Sequence, residues 1–148
     1  MEKPFVLLAD DNEATCTLIT ALLHADFVVD VASDGAEAIE KLKKRRYAAI
    51  LLDLLMPVVD GYAVLDYLQE HHPELLRRVV AVTASLSARE MQRVREYAIS
   101  TVIAKPFEVD VLQAAVHEAA AADAPRQPHG PLLSGGVIFL LSELLKRV

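Results

Sequence analysis

Five polar residues stand where apolar runs end. Asp10 and Asp11 follow "FVLLA", Asp53 closes "YAAILLD", Thr83 comes at the end of "RVVAVT", and Lys105 follows "STVIA". An unpaired carboxylate buried at the end of such a run costs several kcal/mol or takes up a proton. Asp53 therefore either faces solvent or meets a group that rewards its charge. Three carboxylates brought together repel one another unless a cation sits among them. A hard divalent ion meets that need. Mg²⁺ is favoured, because it binds through one or two carboxylates, keeps waters and accepts phosphate oxygens. Next to such a cation and Lys105, the Asp53 carboxylate could act as a nucleophile toward phosphorus and give an acyl phosphate. The Thr83 hydroxyl could then hydrogen-bond a phosphoryl oxygen.

That chemistry requires the five residues to meet, and the order of elements predicts that they do. Strands are expected at 5–10, 27–32, 47–53, 78–84 and 100–104. Between and after them lie segments of helical spacing. In the first, Leu18, Ile19, Leu22 and Leu23 form the apolar stripe, with Asp10 and Glu13 at capping-box spacing. In the second, Asp34 and Glu37 share that spacing and Ala38, Ile39 and Leu42 line the inner face. The third, "YAVLDYLQEHH", stops before Pro73. The fourth, "SAREMQRVREYA", has an arginine-rich outer face, and the fifth is "EVDVLQAAVHEAAAA". Strand and helix alternate five times through short connections, which builds parallel strands with right-handed crossovers. Strands apolar throughout imply that both faces are covered. The prediction is an α/β, doubly wound, five-stranded parallel sheet with helices on both faces. Functional groups in such sheets gather at the C-terminal strand ends.

Composition agrees. The 148 residues suffice for one domain, and 53% hydrophobic content fits a sheet covered twice. The single cysteine, Cys16, precludes an intramolecular disulfide and points to a reducing, cytoplasmic setting. The amino-terminal apolar run is short and ends in acids, so neither a signal peptide nor a membrane anchor is expected. A net charge of −6 argues against nucleic acid as a partner. "KLKKRR" (41–46) is explained by cations at a helix C-terminus. His71 and His72 read as a solvated helix end, Asp60-Gly61 as a turn and helix start, and Arg89, Arg93 and Arg95 as a solvated face.

The pieces "LLADDNE", "ILLDLLMPVVDG", "VVAVTA" and "IAKPF", in this order and spacing, resemble the receiver domain of two-component response regulators, the family of the chemotaxis response regulator. The resemblance covers residues 5 to about 122. It implies the flavodoxin-like strand order 2-1-3-4-5. It also implies Asp53 as phosphoacceptor, with Mg²⁺ held by Asp10, Asp11, Asp53 and the backbone carbonyl of Leu55. Thr83, followed by Ala84, and Lys105 would form the phosphate-binding and switch group, and the Lys105–Pro106 bond would be cis. The partners implied are a histidine kinase or phosphotransfer protein and a downstream protein that the sequence does not name. Neither nucleic acid nor membrane is expected as a partner. The protein would relay a signal, not turn over substrate as an enzyme.

Two features depart from the family pattern. Val102 occupies the position three before the lysine, where an aromatic switch residue is common, so output through a swinging ring is excluded. Residues 123–136 read as a Pro/Gly-rich linker that follows a receiver domain at 1–122, and residues 137–148 as a short amphipathic helix or arm. That arm could pack back, make a homodimer, or dock in a partner's groove. A homodimer through the fourth helix–fifth strand–fifth helix face is a further option. Two other functions remain. A degenerate receiver would act as a phosphorylation-independent interaction module. A haloacid-dehalogenase-like phosphatase would need an acid/base aspartate two residues after Asp53, where Leu55 stands and cannot transfer protons.

Overall fold

The predicted apolar runs pair into one parallel sheet. The computed structural model describes residues 2–56, 58–84 and 87–122, so the linker and arm predicted for 123–136 and 137–148 lie outside the described residues. Strands β1 (Phe5–Ala9), β2 (Val28–Ala32), β3 (Ala49–Asp53), β4 (Val79–Thr83) and β5 (Thr101–Ala104) lie in the order β2-β1-β3-β4-β5. Every neighbouring pair is parallel. The helices are α1 (Glu13–Leu23), α2 (Gly35–Lys44), α3 (Gly61–His71), α4 (Ala88–Val94) and α5 (Val109–Ala120). This is the predicted doubly wound architecture.

Side chains alternate across the sheet and feed two cores. Leu7, Leu52, Ala81 and Val102 pack with Ala38, Leu42, Leu65, Leu68 and Val94 on one face. Leu8, Leu51, Val82 and Ile103 pack with Ile19, Leu23, Leu112 and Val116 on the other. Each fully buried leucine, isoleucine or valine contributes about 1.5–3 kcal/mol. All residues of β3 and β4 are buried, as strands covered on both faces must be. The edge strand β2 differs, since Val28 and Val31 are exposed. Lys41 guards that edge. Its Nζ donates to the Val31 carbonyl at 2.7 Å and to Asp30 at 2.6 Å, occupying groups that would otherwise pair with another chain.

Several local expectations change. The cap of α1 is Asn12, whose side chain accepts from the Thr15 N–H at 2.8 Å, and not an Asp10/Glu13 box. Asp10 is withdrawn from capping because it serves the strand-end cluster described below. Leu18 is exposed, and Cys16 takes an inward position beside Ile19 and Leu23. Asp34 does cap α2, accepting from the Glu37 N–H at 2.8 Å. A 3-10 turn, Pro73–Arg78, fills the gap between α3 and β4 and buries Leu76. It was not predicted, because six residues starting with proline carry no helical period.

One buried hydroxyl is unsatisfied. Among the described residues, Thr101 Oγ1 has no hydrogen-bond partner, although Thr101 is buried in β5 next to Val80. An unpaired buried hydroxyl costs about 1–3 kcal/mol. Thr101→Val keeps the shape and removes the penalty, so its urea midpoint should rise, by about 1 kcal/mol of stability. An unchanged or lower midpoint would mean that the hydroxyl is satisfied in solution.

Candidate functional site

Parallel strands all point one way, so their C-terminal ends share one edge of the sheet. Asp10 follows β1. Its N–H donates to the Ala32 carbonyl at 3.0 Å and its Oδ1 accepts from the Asn12 N–H at 2.9 Å. Asp53 is the last residue of β3, and its Oδ1 accepts from the Leu55 N–H at 3.0 Å. Both are buried, at 3% and 6% exposure, while Asp11 is exposed. One carboxylate oxygen from each of Asp10, Asp11 and Asp53 lies within 4.8 Å of the others. Thr83 ends β4, and its carbonyl accepts from the Lys105 N–H at 2.8 Å. That bond seats Lys105, whose Nζ lies 2.8 Å from Asp10 Oδ2 and 3.3 Å from Asp53 Oδ2. The Lys105–Pro106 bond is cis, as expected.

The electrostatics follow from this packing. Burial raises the Asp53 carboxyl above its ordinary range, and the Asp10 charge adds to it. The Leu55 N–H and the Lys105 ammonium oppose that rise without cancelling it. Burial alone would lower Lys105, but the hydrogen bonds and charges of Asp10 and Asp53 outweigh it and hold the ammonium above its usual value. The cluster thus concentrates negative charge around one cation. The all-carboxylate donor set is what a hard divalent ion prefers, so the residues fit such a metal. Cys16 lies just beneath, its Sγ 3.4 Å from the Asp10 carbonyl. Burial and then Asp10 push its thiol up to about 11, so it stays protonated and inert.

The loop after β3 is built on close contact. A Cβ on Gly61 would sit 2.4 Å from the Asp53 carbonyl oxygen and 2.7 Å from Leu54 Cα. Asp60 caps α3 by accepting from the Ala63 N–H at 3.0 Å, as its reading as a turn and helix start anticipated. Val58, 96% exposed, has a φ of +67°, which a β-branched residue rarely adopts. Asparagine tolerates this conformation, and no packing is lost at an exposed position. Val58→Asn should therefore gain about 1 kcal/mol, read as a higher thermal midpoint. A midpoint at or below that of the wild type would refute the strain.

The remaining predicted residues sort as follows. Ala84 is exposed just beyond Thr83, and Leu55 is half exposed just beyond Asp53. Val102 is buried on the α2–α3–α4 side, with Val94 and Ile99, and does not reach the strand-end cluster. Arg89, Arg93 and Arg95 are all exposed, as a solvated face requires, and Arg93 makes one contact beyond that reading. Its guanidinium lies 3.6 Å from the centre of the Tyr62 ring. The Tyr62 hydroxyl donates to Glu90, and the Tyr97 hydroxyl to Asp66, tying α4 and the turn after it to α3. Sequence reasoning missed this because the partners lie 28 and 31 residues apart and belong to no common period.

The model of the "Response regulator receiver domain" family matches residues 6–117. Transcription factor SKN7 of Chaetomium thermophilum is 33% identical over 113 residues, which take in 74% of this chain and 14% of that protein. Signal transduction histidine-protein kinase BarA of Escherichia coli is 33% identical over 109 residues, 72% of this chain and 12% of BarA. The chain thus spans about an eighth of these relatives. The crystal structure of the receiver domain of sensor histidine kinase PA1611 from Pseudomonas aeruginosa superposes with a TM-score of 0.73 at 26% identity. It covers 81% of this chain and 99% of that one, and holds a magnesium ion coordinated in its active site cleft. The matched span runs from the start of β1 into α5 and includes Asp10, Asp11, Asp53, Thr83 and Lys105, so this chain belongs to the response regulator receiver domain family of two-component systems.

Proposed function

We propose that the chain is a phosphoacceptor: Asp53 takes a phosphoryl group from a phosphohistidine of a histidine kinase or phosphotransfer protein. The convergence of Asp10, Asp11 and Asp53 on Lys105 at one sheet edge carries this reading. An Asp53 carboxylate oxygen forms a bond to phosphorus while the P–N bond breaks, and the electron pair leaves with the imidazole. The Leu55 N–H holds one Asp53 oxygen, which fixes the carboxylate for in-line attack. Lys105 is placed to meet the charge of the incoming phosphoryl group. Thr83, at the end of the neighbouring strand, is the hydroxyl for a phosphoryl oxygen, with Ala84 beside it. Asp10, Asp11 and Asp53, with the Leu55 carbonyl, are the residues that would hold Mg²⁺. Bound there, the ion neutralises carboxylate and phosphoryl charge.

The added charge then shifts the population of two conformations and so alters binding to a downstream protein. With Val102 in place of a ring, that shift reaches the surface by another route than an aromatic swing. The chemistry is that of an acceptor and not of a turnover enzyme, since Leu55 offers no proton to a leaving group or to water. No helix among the described residues is long and apolar enough to cross a membrane, which fits a signalling role in the cytoplasm.

The test is intact mass after incubation with Mg²⁺ and acetyl phosphate. Wild type should gain one phosphoryl group and Asp53→Asn none. A wild type that binds Mg²⁺ yet gains nothing would overturn the reading in favour of a phosphorylation-independent module. Steady turnover of a simple phosphomonoester would favour a phosphatase instead. Size-exclusion chromatography of the same samples reads out any phosphorylation-linked homodimer.

A further inference from the structure

A parallel sheet has a second edge, where its strands begin. Here that edge gathers cations. Lys43 and Lys44 end α2, Arg45 and Arg46 follow, and Arg77 and Arg78 close the turn before β4. These six are among only 15 lysines and arginines in a chain of net charge −6. Arg78 draws the two segments together, since it is 7% exposed and its Nη1 donates to the Tyr47 carbonyl at 2.8 Å. Arg45 stands over the ring of Phe5, the first residue of β1, at 3.7 Å. The cations therefore line the starts of β1, β3 and β4. Lys43, Lys44, Arg45, Arg46 and Arg77 are exposed, Lys43 with its Nζ 3.1 Å from the Glu40 carboxylate one turn earlier. Burial, and then the charges of Arg46 and Arg77, hold the Arg78 guanidinium below its usual range, with the Glu74 carboxylate opposing them.

Attraction to the helix dipole accounts for Lys43 and Lys44, which lie in the last turn of α2. Arg45 and Arg46 lie past the helix, and the buried Arg78 joins them to Arg77. We infer that this edge is a docking surface for an acidic segment of a partner protein. Arginine forks pair bidentately with carboxylates, and the stacking of Arg45 and the anchoring of Arg78 order the surface before binding. A long polyanion fits less well, because the rest of the molecule is strongly acidic and would repel whatever extends past this edge. Strands of five residues separate the two edges by about 16 Å, roughly two Debye lengths at physiological salt. A partner held here leaves Asp53 open, so the surface is a tether independent of phosphorylation, and the inference does not rest on the phosphoacceptor reading.

Fluorescence anisotropy of a labelled oligoglutamate peptide, titrated with the full chain at low and physiological salt, tests this. Wild type should bind, and more weakly as salt rises. Lys43→Gln/Lys44→Gln/Arg46→Gln/Arg77→Gln should weaken binding at least about tenfold, whereas Arg89→Gln/Arg95→Gln on α4 should change it less than about twofold. Both variants should unfold near the wild-type temperature, and both should take up phosphoryl groups as wild type does. The inference is overturned by no binding, by equal loss in the two variants, or by tighter binding of duplex DNA or phosphatidylserine vesicles through the same residues.

Discussion

Replacing Lys105 by methionine should lower the stability of the metal-free protein and make it depend on Mg²⁺ more steeply than wild type does. Lys105 holds Asp10 and Asp53 together, with its Nζ 2.8 and 3.3 Å from their carboxylate oxygens. Methionine keeps the stem and removes the charge, leaving two buried carboxylates facing each other. Breaking a buried pair costs roughly 3–5 kcal/mol. The ammonium is partly exposed, with the side chain at 22%, so about 2 kcal/mol is expected. The loss has a definite pH dependence. The Asp53 carboxyl is already raised by burial and would rise further without the ammonium. A folded carboxyl above its unfolded value binds more protons in the native state, so stability falls as pH increases through the folded value. Lys105→Met should accordingly lose less near pH 5 than at pH 7. A divalent cation supplies the missing charge and no longer competes with the ammonium, so it should raise the melting temperature of the variant more than that of wild type. Urea titrations with Mg²⁺ and with EDTA decide this. Equal stability of the two proteins in EDTA would mean that the ion pairs contribute nothing. Equal Mg²⁺ shifts would remove the metal from this cluster.

The gathering of polar residues at this edge was legible from the sequence for a simple reason. Asp10, Asp53, Thr83 and Lys105 each stand at the end of an apolar run, and parallel strands bring such ends together whatever the loops do. The same logic yields the strand order once the family is recognised. What the sequence hid depends on contacts with no local period. Capping-box spacing favours Asp10 and Glu13, but the Lys105 ammonium, 95 residues away from Asp10, claims Asp10 and leaves the cap to Asn12. An amphipathic stripe puts Leu18 inside, yet Cys16 occupies that face of α1. The α4 arginines look uniform along the chain, and only the placement of Tyr62 at the start of α3 singles out Arg93. "KLKKRR" is explained locally by a helix end, and its meaning changes only when Arg78 folds against it from the other side of β3.

Gly61→Ala should cost stability and also cripple phosphoryl uptake, and the second effect separates it from ordinary overpacking. The added methyl would lie 2.4 Å from the Asp53 carbonyl oxygen, 2.7 Å from Leu54 Cα and 3.1 Å from the Asp53 carbonyl carbon. All three are backbone atoms, which have no rotamer to change. Either α3 lifts from the sheet or the Asp53 peptide shifts, and overpacking of this kind costs about 1–3 kcal/mol or more. Lifting is resisted by the Gly61 N–H, which donates to the Leu54 carbonyl at 3.2 Å, and by Tyr62, Val64, Leu65 and Leu68, which are buried in the core. The Asp53 peptide is therefore the part that yields, and with it the carboxylate held by the Leu55 N–H. A misplacement near 1 Å at a reacting group costs about a hundredfold in rate. Gly35→Ala is the matched control. Its methyl would meet the Val59 carbonyl at 2.6 Å, Val59 Cγ1 at 2.7 Å and the Asp60 carbonyl at 2.8 Å, an equally severe clash that presses on the loop ahead of α3 but on no atom of Asp53 or Leu54. Both variants should unfold at lower urea, but acetyl phosphate should label Gly35→Ala at close to the wild-type rate and Gly61→Ala far more slowly. If both label equally well per folded molecule, the close approach of α3 to Asp53 serves packing alone and does not hold the carboxylate for attack.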